Sequence, residues 1–290
     1  MYRIFYKKEW IRFLGFLIVC NSFYSCAYFN TFYNAESSYK KALKIIEQTP
    51  ILDEIEVPEQ AKKLLSEAIK NSKEVIKKYP DSNYIDDAIF IIGRASFLRD
   101  EMAIAESYFK QLLRDYYDSE FHLRAKIWLL YTHLRMGKID NILSEISEII
   151  NMNIVKKDDI YLLNNINAEF YIEKNILDST YYYYEKAVDI TLSTSKKIST
   201  YGKLILIAEN NQDKIKASKY LVELADIAPD KMRIDVRMKW LTYQRELGNY
   251  EKIIVEIQRM LTLSEFSKEY MQLELELGKV YKAMKEFNLA

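Results

Sequence analysis

The stretch Asp86–Phe109, DDAIFIIGRASFLRDEMAIAESYF, decides how the chain is read. It contains Ile89-x2-Ile92-Gly93-x2-Ser96, followed by Ala105-x3-Phe109. Apolar residues recur at the three-to-four spacing of an amphipathic helix. A small residue, Gly93 or Ala105, stands on each half, and small side chains let two helix backbones approach closely. The stretch therefore predicts two helices crossing at Gly93 and Ala105, with Phe109 filling the space beside the crossing.

The same register returns along the chain. With Asp86 as position 1, later units start at Leu123, Tyr161, Ile198, Ile234 and Met271, at spacings of 37, 38, 37, 36 and 37 residues. Position 8 holds Gly93, Ala168 and Gly278, and position 20 holds Ala105, Ala217 and Ala290. Phe109, Tyr184, Leu221 and Ile257 stand at position 24. Gly137 and Gly248 occupy position 15, between the helices, where a positive φ costs glycine little. Pro229, at position 32, cannot continue a helix.

This pattern resembles the tetratricopeptide repeat, W-x2-L-G-x2-Y…A-x3-F. The departures are Ser96 at position 11, Gly202 at position 5 and a period longer than the usual 34. The resemblance implies an all-α α-solenoid of about six to seven helix pairs after an N-terminal signal segment. An irregular pair precedes the array. Residues 30–48 read as one helix, with Phe32, Ala35, Tyr39, Ala42, Leu43 and Ile46 at helical spacing. Glu59–Tyr79 reads as a second, with Leu64, Leu65, Ala68, Val75 and Ile76 inward, beyond an acidic loop between Pro50 and Pro58. No period-two strand pattern is sustained. The expected organisation is a signal segment at 1–25, a helix pair at 26–85 and a repeat array at 86–290. The last repeat stops at Ala290, as its second helix should begin.

Composition agrees. Six Gly and four Pro in 290 residues are few turn formers, which favours helix. The 42 basic residues against 42 acidic ones argue against nucleic acid as a partner. An apolar fraction of 49% is too high for a disordered chain.

The N-terminus carries its own signal. Arg3, Lys7, Lys8 and Arg12 precede the apolar run Phe13–Cys20, the order of a secretory signal peptide. That run is too short to cross a bilayer, which takes about 20 residues. Ser25-Cys26 resembles the cleavage and lipidation site of bacterial lipoproteins, which implies Cys26 as the lipid attachment. An ordinary signal peptide or an uncleaved anchor are the alternatives. Removing residues 1–25 takes four basic residues and one acidic one, leaving 38 against 41, a net charge of −3. Cys20 leaves with the signal, so a lipidated Cys26 leaves no thiol for disulfides, metal or catalysis.

Two stretches resemble BamD-type lipoproteins of the outer-membrane β-barrel assembly machinery: residues 26–35, CAYFNTFYNA, and residues 78–88, KYPDSNYIDDA. The resemblance implies a non-catalytic scaffold on the periplasmic face of the outer membrane, binding other envelope proteins or peptide segments through a concave groove. A coordinator of peptidoglycan synthesis or constriction is the alternative, as is a generic adaptor with an uncleaved signal anchor. No P-loop, G-x-G-x-x-G, H-E-x-x-H or G-x-S-x-G occurs, so neither an enzyme nor a cofactor is expected. His122 and His133 lack further ligands for zinc and read as surface or capping residues. Tyr181–Tyr184 reads as two packed and two exposed rings.

In tetratricopeptide arrays positions 2, 5, 9, 12 and 13 face the groove. Carried onto this chain, they give Asp87, Phe90, Arg94 and Phe97, then Arg124, Ile127, Tyr131 and Arg135. Asn165, Glu169 and Glu173 follow, then Asp235, Met238, Thr242 and Arg245. Arginine mixed with aromatic rings is the composition of interface hot spots.

Overall fold

Helix-period apolar spacing and scarce turn formers yield helices, with connecting turns, throughout the described residues. A computed structural model describes residues 30–48, 57–152 and 155–284, and no strand occurs among them. The signal segment and Cys26 lie outside the described residues, as do most of the acidic loop and Ala290. No helix among the described residues is long and apolar enough to cross a membrane.

The described residues form two compact units, one up to Lys174 and one from Asn175. The first contains α1 (residues 30–48), α2 (Glu59–Lys78), α3 (Ile85–Leu98), α4 (Met102–Asp115), α5 (His122–Arg135), α6 (Ile142–Ile150) and α7 (Lys157–Glu173). Helices neighbouring in sequence pack together from α2 to α7, and α5 also touches α3 and α7. Ile89, Phe109, Leu112, Ile127, Leu130, Ile149 and Leu163 form its core. The second contains α8 (Leu177–Ile190), α9 (Thr194–Asn210), α10 (Lys214–Ile227), α11 (Asp230–Glu246), α12 (Tyr250–Leu261), a 3-10 turn (Ser264–Phe266) and α13 (Tyr270–Ala283). Leu241, Ile253, Ile257, Met260, Phe266 and Leu273 pack together there.

Two helices, α1 and α2, precede Asp86 among the described residues. Phe32, Ala35, Ala42, Leu65, Ala68 and Val75 are buried. Tyr39, Leu43, Ile46, Leu64 and Ile76 are only partly so. The small residues Ala61 and Ser72 of α2, absent from the sequence reading, are fully buried as well. Among the four consecutive tyrosines, Tyr181 and Tyr184 are buried and Tyr182 is exposed.

The turns between paired helices share one backbone device. Positive φ occurs at Asp100 (62°), Gly137 (73°), Asn175 (55°), Gln212 (57°) and Gly248 (73°). These residues lie 37, 38, 37 and 36 apart, each at position 15 of its unit. At four of them the next N–H reaches back five residues to a helix carbonyl: Glu101 to Ser96, Lys138 to His133, Asp213 to Ala208 and Asn249 to Gln244. This left-handed cap satisfies carbonyls that a helix end otherwise leaves unpaired. A residue with a Cβ adopts the conformation at a cost of about 1 kcal/mol. Gln212→Gly should therefore raise the urea midpoint, and Gly248→Ala should lower it by a similar amount. Opposite signs are the diagnostic outcome, because in an ordinary helix interior the same exchanges have the reverse effect.

Gly93 meets the expected close approach. It is buried in α3, and an added Cβ would sit 2.7 Å from Cε1 of Phe109. Phe109, Leu221 and Ile257 are fully buried at position 24, as are Ala105 and Ala217 at position 20.

Glu106 ties α4 to the end of α5. Its carboxylate accepts hydrogen bonds from Lys110 Nζ at 2.7 Å, Lys138 Nζ at 2.9 Å and His133 Nε2 at 3.1 Å. The bonds from Lys110 and Lys138 hold its pKa down at about 2, from an ordinary value of 4.5. A carboxyl depressed in the folded state stabilises fully above its ordinary pKa and loses that contribution as pH falls through the folded value. The stability difference between the wild type and Glu106→Gln should thus be largest near neutral pH. It should shrink between about pH 4.5 and 2, as followed by urea midpoints.

Candidate functional site

Position 9 of three successive units places Arg94 on α3, Tyr131 on α5 and Glu169 on α7. Helical rise brings these residues to the same level of neighbouring helices. The Tyr131 hydroxyl donates to the Glu169 carboxylate. The Arg94 guanidinium lies over Trp128, its Cζ 3.3 Å from the ring centroid. Phe97 meets Trp128 edge-on at 5.1 Å and Tyr131 at 4.8 Å, and Trp128 lies 5.6 Å from Tyr131. Three rings and a cation thus make one cluster on the first helices of the first unit. Stacking of this kind contributes about 0.5–2 kcal/mol per contact.

The other sequence-derived residues divide. Arg124 reaches Asp159 at 3.6 Å, and Asp159 also accepts the Lys156 N–H at 3.1 Å at the start of α7. Arg135 is exposed and pairs with Asp100 at 3.4 Å. Asn165 is buried, its Nδ2 donating to the Tyr161 carbonyl within α7. Asp87 sits in the first turn of α3. Burial, with the charges of Asp86 and Glu120, pushes its carboxyl up to about 6. Glu173 is exposed.

Five residues differ from expectation: Phe90, Phe97, Ile127, Tyr131 and Asn165 are all buried, at 8% exposure or less. Phe90 is only 7% exposed, stacked 4.7 Å from Phe121 and near Phe109 at 6.2 Å. Phe121 arrives just before α5 and covers it, so Phe90 is core packing rather than groove lining. Ile127 is likewise buried in the core. In the second unit Asp235 is exposed, and Arg245 Nη1 binds Glu276 at 2.6 Å.

Trp128 and Tyr39 belong to the cluster and escaped the sequence reading. Trp128 stands at position 6, outside the positions the resemblance assigns to the groove. Tyr39 read only as an inward residue of α1, whereas its hydroxyl acts on Arg94 and partly offsets the lowering of the guanidinium pKa by burial. Among the described residues no group of three His, Cys, Asp or Glu is placed to hold a metal ion.

No family model matches the chain, and no curated protein is significantly similar to it.

Proposed function

We propose that this chain is a non-catalytic interaction scaffold, a tetratricopeptide-type α-solenoid lipid-anchored through Cys26 at the periplasmic face of the outer membrane. It holds an envelope protein or peptide segment against the face of α3, α5 and α7 that carries Arg94, Trp128 and Glu169. A part in β-barrel assembly, like that of the BamD-type lipoproteins, is the sharpest form of this reading.

The observation that carries it is the set of left-handed turns at Asp100, Gly137, Asn175, Gln212 and Gly248, whose spacing equals that of the sequence units. A second periodic contact supports it. Position 12 of one unit meets position 6 of the next in Phe97–Trp128, Glu209–Lys239 (2.7 Å) and Arg245–Glu276 (2.6 Å). Different chemistry at one geometric relation is what a stacked repeat produces. The aromatic and arginine content of the first-unit face supports binding there, since such residues dominate interface energies.

The test is recovery of partners from membrane extracts of a diderm host. Arg94→Ala with Arg135→Ala should abolish recovery of a partner that the wild type retains, and unchanged recovery would contradict the groove assignment. Anchoring is read from the intact mass of the same preparation. A chain starting at Cys26 and carrying acyl groups, absent in Cys26→Ser, is the expected form.

A further inference from the structure

We infer that Arg94 anchors a carboxylate of the segment bound in the groove, an inference that rests on the groove reading above. The described residues contain nine arginines. Eight have a carboxylate within 4.0 Å: Arg99, Arg114, Arg124, Arg135, Arg233, Arg237, Arg245 and Arg259. Arg94 is the exception among the described residues, and it is also the one stacked on a tryptophan. Its Nη1 is buried and has no hydrogen-bond partner. Burial pushes its pKa down, and interaction with the Tyr39 hydroxyl only opposes this. The Tyr131 hydroxyl acts in the same direction as Tyr39, and Arg124, of like sign to Arg94 and itself paired with Asp159, acts against both.

A cation desolvated without a counter-ion is unfavourable. Such a break with the pattern of its neighbours is expected where a ligand completes the site. A backbone carbonyl would satisfy the free N–H but leave the charge. A carboxylate satisfies both, since its two oxygens match the fork of guanidinium N–H donors. A phosphate dianion is disfavoured because Asp86, Asp87, Glu120 and Glu36 gather negative charge at the start of α3, two turns away on the same helix.

The experiment pans a random heptapeptide library with free C-termini, and the same library amidated, against the full chain and against Arg94→Gln. The wild type should select peptides that carry a carboxylate. Selection that survives amidation assigns a side-chain acid, and selection that amidation abolishes assigns the terminal one. Arg94→Gln should weaken the selected peptides by about tenfold or more, while its urea midpoint stays at or above that of the wild type. Peptides without acid enrichment, or equal binding to Arg94→Gln, would overturn the anchor and leave the groove standing. An Arg94→Gln protein much less stable than the wild type would make the guanidinium structural, which also overturns it. No peptide selected by the wild type would remove the groove reading together with the anchor.

Discussion

Replacing Gly93 by alanine is expected to destabilise the first unit by about 1–3 kcal/mol. The sign is informative because alanine in place of glycine inside a helix ordinarily adds up to about 1 kcal/mol. Here the new methyl would meet Cε1, Cδ1 and Cζ of Phe109 at 2.7, 2.9 and 3.0 Å. That ring is fully buried, with Phe90 tilted against it at 6.2 Å. It cannot swing away without disturbing the contact between α3 and α4, so the overlap outweighs the propensity gain. Phe109→Leu in the Gly93→Ala background should recover part of the loss, because the smaller side chain makes room for the methyl. Urea unfolding of the three variants checks this. A Gly93→Ala protein more stable than the wild type would mean that the crossing is looser than described.

The second large effect lies in the other unit. Arg237 on α11 is 9% exposed, with Nη2 2.8 Å from Asp226 and Nε 3.4 Å from Glu256. Glu256 on α12 is also held by Arg259 through contacts of 3.0 and 2.7 Å. Burial alone would raise the Glu256 pKa, but the Arg259 bonds and the Arg237 charge more than offset it, and the net shift is downward. Removing one member of a buried pair strands the other, at a cost of about 3–5 kcal/mol. Glu256→Ala should fall near the lower end, about 3 kcal/mol, because Asp226 remains beside Arg237. Arg237→Met combined with Glu256→Leu should cost far less than Glu256→Ala alone, since an apolar pair carries no desolvation penalty. A double variant as unstable as the single one would show that packing, not charge, dominates this corner.

Much of this fold is legible from residue pattern alone. Residues 30–48 and Glu59 onward read as helices because their apolar residues keep a 3.6-residue period, and α1 and α2 occupy those stretches. The turns are legible only where glycine marks them, at Gly137 and Gly248. The same backbone occurs at Asp100, Asn175 and Gln212, and at Asp100 and Gln212 it is accompanied by the hydrogen bond of the next N–H back to the helix. Gln212 in particular carries no local signal for a left-handed residue. At the candidate site, periodicity brings Arg94 and Tyr131 to one level but cannot tell a groove residue from one that a neighbour covers. Phe90 is hidden by Phe121, a contact set by how α5 begins, and Trp128 becomes visible only once α3 and α5 are side by side. A position number fixes a direction from the helix axis; cover from the next helix decides exposure.

Whether the face of α3, α5 and α7 holds a partner is read by site-specific photocrosslinking in living cells. A photoreactive phenylalanine would replace Arg135 and Glu173, which are exposed at the ends of α5 and α7, or Ile104 and Leu143, which are exposed on α4 and α6. One discrete adduct is expected from positions 135 and 173, lost when Arg94→Ala is added, and none from positions 104 and 143. Adducts confined to positions 104 and 143 would contradict it and move the binding surface to the second helices.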